Sequence, residues 1–221
     1  MKKIMKKNLS KIMAYFYLPL FFTLAGYAFI YFAAKPLIDT GLSVAGMMVA
    51  DEVPDFSSDL NSIYTGAVLS DQQTIPLSSI QIPDYGTHYG NIRCERIGLD
   101  VPVYMGDDNA ILRVGAGQFS GSFLPGFNRT ILVGGHNTTF FLPLQYIQPG
   151  DRINYSTNYG EYIYEVTEAA VHNYKDTSAY DLSAETEQLI LYTCYPFDSL
   201  TGSKQDRLFV YAKRLSGPDI E

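Results

Sequence analysis

Tryptophan is absent from this 221-residue chain, cysteine occurs twice and histidine three times. Two cysteines are too few for a disulfide-built scaffold, and no CxxC or other metal-ligand spacing occurs. One disulfide between Cys94 and Cys194 stays open for a chain outside the cytoplasm, while Cys94 also reads as a small buried hydrophobe. The formal charge of −7 lacks the cationic excess that nonspecific nucleic-acid binding needs. There is no internal repeat and no low-complexity tract. The glycine-rich stretch at 115–127, GAGQFSGSFLPGF, contains no lysine and misses the phosphate-loop pattern, which argues against a nucleotide site.

Positive charge gathers at the start, where Lys2, Lys3, Lys6, Lys7 and Lys11 precede an uncharged apolar run at 12–34. That run exceeds the roughly 20 residues that a helix needs to cross a bilayer. Lysines on its N-terminal side predict a cytoplasmic N-terminus and an extracytoplasmic remainder. A cleaved signal peptide is the competing reading, but its apolar region is usually about 7–15 residues, followed by a small-residue cleavage site. Residues 35–85 read as a stem rich in Ser, Asp, Gln and Pro. Its acidic residues Asp51, Glu52 and Asp55 read as a solvated face rather than a calcium site.

From 86 to 216 the pattern is that of one folded domain, with 217–221 as a tail. Apolar and polar residues alternate at 151–157, 161–171 and 207–214, as expected of half-buried strands. Further strands are expected at 91–99, 101–104, 129–135 and 189–194. A short helix is expected between 105 and 115, with Asp107 or Asp108 as its cap, and another near 139–147. Many short strands with one or two short helices predict an all-β domain, a small closed barrel. The abundance of tyrosine, 18 residues, suits such a domain.

Three residues stand at strand boundaries where chemistry is expected. Cys194 ends the apolar run QLILYTC, Arg207 opens the next strand, and His136 ends ILVGGH. Strand pairing would bring Arg207 beside Cys194 across the intervening loop. A thiolate, not a thiol, is the nucleophile, and a nearby cation favours it. A guanidinium also donates to a developing oxyanion. The nucleophile needs an acid/base, normally histidine. His136 is the candidate, since His88 falls at the junction of stem and domain and His172 follows a strand of exposed character. Taken singly, each residue has a bland reading: a loop histidine, a small core cysteine, a surface arginine.

With these residues in order, the chain resembles the sortases, a family of cysteine transpeptidases. Ile190-Leu191-Tyr192-Thr193-Cys194 is similar to the family's Thr-Leu-x-Thr-Cys strand, with Ile190 in place of the first threonine. Arg207 and Gly135-His136 stand where the family has its essential arginine and its histidine. Residues 112–126, LRVGAGQFSGSFLPG, resemble the segment before the histidine strand. The resemblance covers about 88–214 and implies an eight-stranded sortase-type β-barrel behind an N-terminal transmembrane helix. It implies Cys194 as nucleophile, His136 as general acid/base and Arg207 as oxyanion donor. Leu191, Thr193 and Tyr195 are expected to line the substrate groove, and no metal or cofactor is expected. The implied partners are secreted proteins carrying an LPxT-type sorting signal and an amine of a cell-wall peptide precursor.

The Cys-Tyr-Pro-Phe run and the lack of a C-terminal apolar segment resemble class D more than classes A or C. Asn137, after the histidine, departs from the arginine frequent in classes A and D. Two rivals remain. One is another extracytoplasmic cysteine enzyme, whose cysteine would sit in a different local context. The other is a non-catalytic anchored barrel that binds envelope components, with Cys194 fully buried and Arg207 and His136 pointing away.

Overall fold

The computed structural model describes residues 15, 17–35, 60–66, 73–197 and 204–221. The chain falls into two units, Met1–Val53 and Pro54–Glu221. In the first, Tyr17–Lys35 forms a helix, α1, whose apolar side chains are exposed. At about 1.5 Å per residue its 19 residues span roughly 28 Å, close to the thickness of a bilayer's hydrocarbon core. The expected basic segment at 1–11 lies outside the described residues, as does the acidic stretch at 51–55.

The second unit is built from strands β1 (Thr74–Ile75), β2 (His88–Cys94), β3 (Leu99–Met105), β4 (Ala116–Gln118), β5 (Thr130–Gly135), β6 (Arg152–Thr157), β7 (Glu161–Asn173), β8 (Gln188–Tyr195), β9 (Asp206–Ser216) and β10 (Asp219–Ile220). One short helix, α2 (Asn109–Leu112), joins β3 to β4. Eight strands close into a barrel in the order β2-β3-β4-β5-β8-β9-β7-β6, with β6 returning to β2. Closure leaves no free sheet edge.

The alternation read from the sequence sorts side chains between barrel interior and exterior. Along β6, Ile153, Tyr155 and Thr157 point inward; along β7, Tyr162, Tyr164 and Val166 do the same. Ile92, Val103, Ile131, Val133, Leu189, Leu191 and Val210 complete the interior without contact to solvent. Each such side chain contributes roughly 1.5–3 kcal/mol. Interior tyrosines take the place of tryptophan as bulky fillers, and their hydroxyls need partners. Tyr89 and Tyr155 hydroxyls lie 2.5 Å apart, and both meet Gln118.

Asp108 caps α2, accepting from the amides of Ala110 and Ile111 at 2.9 Å. The expected short helix at 139–147 is a 3₁₀-helix at Leu142–Tyr146. Two features differ from expectation. The glycine-rich stretch contributes β4, which pairs with both β3 and β5. At Gly117 a Cβ would fall 2.4 Å from the Gly106 carbonyl, so glycine is needed for close approach rather than for a loop. The folded unit also extends beyond 86–216. β1 from the expected stem pairs with β10 from the expected tail, held by Arg214 on Asp219 and Glu187.

Candidate active site

Strand β8 lies between β5 and β9. It runs parallel to β5, and the last pair of that ladder is Gly135 with Thr193. His136 and Cys194 are the next residues on the two chains, so they leave the same end of adjacent strands together. On the other side β8 runs antiparallel to β9, and Cys194 is the direct partner of Arg207. The row continues to β7, where His172 is opposite Arg207.

Alternation along β8 decides which side chains face the site. Leu189, Leu191 and Thr193 point inward and are buried, whereas Tyr192 and Cys194 point outward and are partly exposed. Leu191 therefore belongs to the core, and the Thr193 hydroxyl donates to the Gly135 carbonyl at 2.6 Å. Tyr192 faces the outer cleft, and Tyr195 is exposed at the strand end.

Both glycines before His136 serve close packing, since neither has positive φ. A Cβ on Gly134 would lie 2.6 Å from the Tyr192 ring, and one on Gly135 would lie 2.8 Å from the Phe141 ring. His136 is half-buried. Its backbone carbonyl accepts from the amide of Phe141 at 3.0 Å, and neither ring nitrogen has a hydrogen-bond partner among the described residues. Burial lowers its pKa, and the positive charge of Arg113 lowers it further. Arg113 follows α2 directly and has no ion-pair partner among the described residues.

Among the described residues, Arg207 forms hydrogen bonds through Nη1 alone. Its Nη1 donates to the carbonyls of Lys204 and Asp206 at 2.8 and 2.9 Å, and its guanidinium lies 5.8 Å from the Tyr174 ring centroid. Its other nitrogens have no partner among the described residues. Arg207 also lines an outer cleft of about 260 Å³ with Leu132, Tyr174, Tyr180, Tyr192, Phe209 and Asp107. The cleft is apolar and aromatic, with one acid and one base. A larger cleft of about 340 Å³ lies over Asn91, Asn154 and Glu161 and is lined by neither cysteine nor histidine.

The other histidines are engaged elsewhere. His88 lies between the rings of Tyr64 and Tyr104 and meets Ser62 and Gly90. His172 meets the Asp176 carboxylate at 3.0 Å. It lies two strands from Cys194, roughly 10 Å by backbone spacing, against one strand for His136. Cys94 is buried and unpaired, as Cys194 is unpaired, so no disulfide joins them. Burial raises the Cys94 thiol above its ordinary pKa, which makes it a poor nucleophile. No group of three potential metal ligands occurs among the described residues.

Sequence reading singled out neither Arg113 nor Tyr174, and read Asn137 only as a departure from the arginine frequent after the histidine. Asn137 is 4% exposed and its Nδ2 donates to the Pro196 carbonyl at 3.0 Å. Its partner lies 59 positions away, so no local pattern signals the bond.

A thiol, an imidazole and a guanidinium on one outer rim, beside an apolar cleft, can perform acyl transfer on an extended peptide. The family described as Sortase domain matches residues 92–215. The chain is 30% identical over 203 residues to Sortase D of Bacillus subtilis, covering 90% of this chain and 98% of that one. Among solved structures, sortase C from Clostridium perfringens is similar at TM-score 0.54 and 25% identity, over 61% of this chain and 73% of that one. Sortase A from Corynebacterium diphtheriae is similar at TM-score 0.52 and 29% identity, over 58% of this chain and 61% of that one. The chain belongs to the sortase family.

Proposed function

We propose that this sortase is of the class D kind and cleaves an LPxT-type sorting signal after its threonine. It then transfers the protein to an amine of a cell-wall precursor. The observation that carries this reading is the row His136, Cys194, Arg207 at the ends of three adjacent strands, of which Arg207 also lines the aromatic cleft. The Cys194 thiolate, whose proton has passed to His136, attacks the threonine carbonyl carbon. The carbonyl oxygen takes up charge, and the Arg207 guanidinium donates to it. When the C–N bond breaks, His136 gives a proton to the departing amine, leaving a thioester on Cys194. An incoming amine loses a proton to His136, attacks the thioester and releases the thiolate. Leucine and proline of the signal match the apolar walls formed by Leu132, Tyr180 and Phe209. Partial exposure of Cys194 favours this reading over a non-catalytic barrel.

With α1 as the anchor and lysines before it, the catalytic unit is extracytoplasmic and the N-terminus cytoplasmic. The test uses the full chain in detergent with a panel of LPxTG-, LPxTA- and NPxTN-like peptides and a diamine acceptor. The reading predicts cleavage after threonine and a ligated product from at least one LPxT peptide. Cleavage at any other bond, or none across the panel, contradicts it.

A further inference from the structure

The pairing of β5 with β8 stops at Gly135 and Thr193, one residue short of His136 and Cys194. Beyond that pair no ladder hydrogen bond couples the two chains, and the reacting side chains sit on the uncoupled ends. Two side-chain bonds enclose them. Before the pair, the Thr193 hydroxyl donates to the Gly135 carbonyl at 2.6 Å. After it, Asn137 Nδ2 donates to the Pro196 carbonyl at 3.0 Å. Asn137 is buried and Pro196 is half-buried, so water competes little for this bond.

We propose that Asn137 is a positioning residue. By tying the chain after His136 to the turn after Cys194, it fixes the separation of imidazole and sulfur. This rests on reading Cys194 and His136 as the reacting pair. The Thr193 bond alone would act as a pivot; the second bond, on the far side of the pair, removes that freedom. A displacement of about 1 Å at a reacting group costs about 100-fold in rate, whereas a lone hydrogen bond contributes only about 1 kcal/mol to stability. The positioning effect therefore exceeds the structural one.

The test needs no substrate. Alkylation of Cys194 by iodoacetamide is timed at pH 7 in the full chain in detergent, in Cys94→Ser background, for wild type, His136→Ala, Asn137→Ala and the double variant. The proposal expects His136→Ala to slow alkylation in the parent and to have no further effect in Asn137→Ala. Equal slowing in both backgrounds overturns the proposal and leaves the reacting pair intact. No slowing in either contradicts the pair itself, and the proposal with it. Should Asn137→Ala not fold, Asn137→Asp keeps the shape and replaces the donor with an acceptor, and the same comparison applies. With a fluorogenic LPxT peptide, Asn137→Asp should lower kcat about 10–100-fold with KM within about twofold. An unchanged kcat overturns the proposal.

Discussion

Cys194 and Arg207 are direct cross-strand partners on β8 and β9, and both side chains face outward. This fixes the arginine by backbone pairing rather than by the loop between the strands. Arg207→Lys should therefore reduce activity about 100-fold or more at unchanged melting temperature, because an ammonium cannot replace the planar fork. Steady-state kinetics with a cleaved peptide checks this; a loss under threefold contradicts it.

Arg113 places positive charge near the half-buried His136, and burial and this charge both disfavour the imidazolium. Arg113→Gln removes the smaller of the two causes. The His136 titration midpoint should move upward, towards the ordinary imidazole value, without reaching it. NMR titration of the ring proton measures the midpoint. No movement, or a downward one, contradicts the electrostatic account.

Glu187 is a stability element rather than a site element. Its carboxylate is 2% exposed and accepts from the amides of Gly126 and Asn128, from the Tyr164 hydroxyl and from Arg214. Glu187→Ala should lower stability by about 2–4 kcal/mol by urea unfolding, since the donors of buried Gly126 and Tyr164 lose their acceptor. Burial is the largest cause acting on this carboxyl and raises its pKa against those four bonds. A raised folded pKa contributes stability below the unfolded value of about 4.3, lost as pH rises through the folded value. The variant should lack that part of the slope.

The two glycines before His136 separate cleft from core. Gly134→Ala collides with the Tyr192 ring in the cleft wall, and Gly135→Ala with the fully buried Phe141. The first should raise KM several-fold with little change in melting temperature. The second should destabilise by about 1–3 kcal/mol, as overpacking does. Similar behaviour of both variants in both measurements contradicts this division.

Seven of the eight barrel strands were legible because alternation or an apolar run marks them. β4 was not, because Ala116, Gly117 and Gln118 carry no such pattern; its place follows from neighbours that admit only glycine at 117. β1 and β10 are two-residue strands far apart in sequence, and only tertiary pairing makes them strands. That Arg207 falls beside Cys194, and that His136 and Cys194 end strands of one sheet, was readable from strand boundaries. That Leu191 and Thr193 face inward follows from the same alternation, once Cys194 is known to face out. The bonds of Asn137 and the charge of Arg113 join residues distant in sequence, so local pattern holds no trace of them.

The central claim is that Cys194 carries the acyl group. Intact-mass spectrometry of the full chain after brief exposure to a cleavable LPxT peptide, quenched in acid, tests it most directly. The account predicts an added mass equal to the peptide through threonine, mapped to Cys194 and absent from Cys194→Ala. Turnover of the peptide by Cys194→Ala, or an adduct mapped to Cys94, would contradict it.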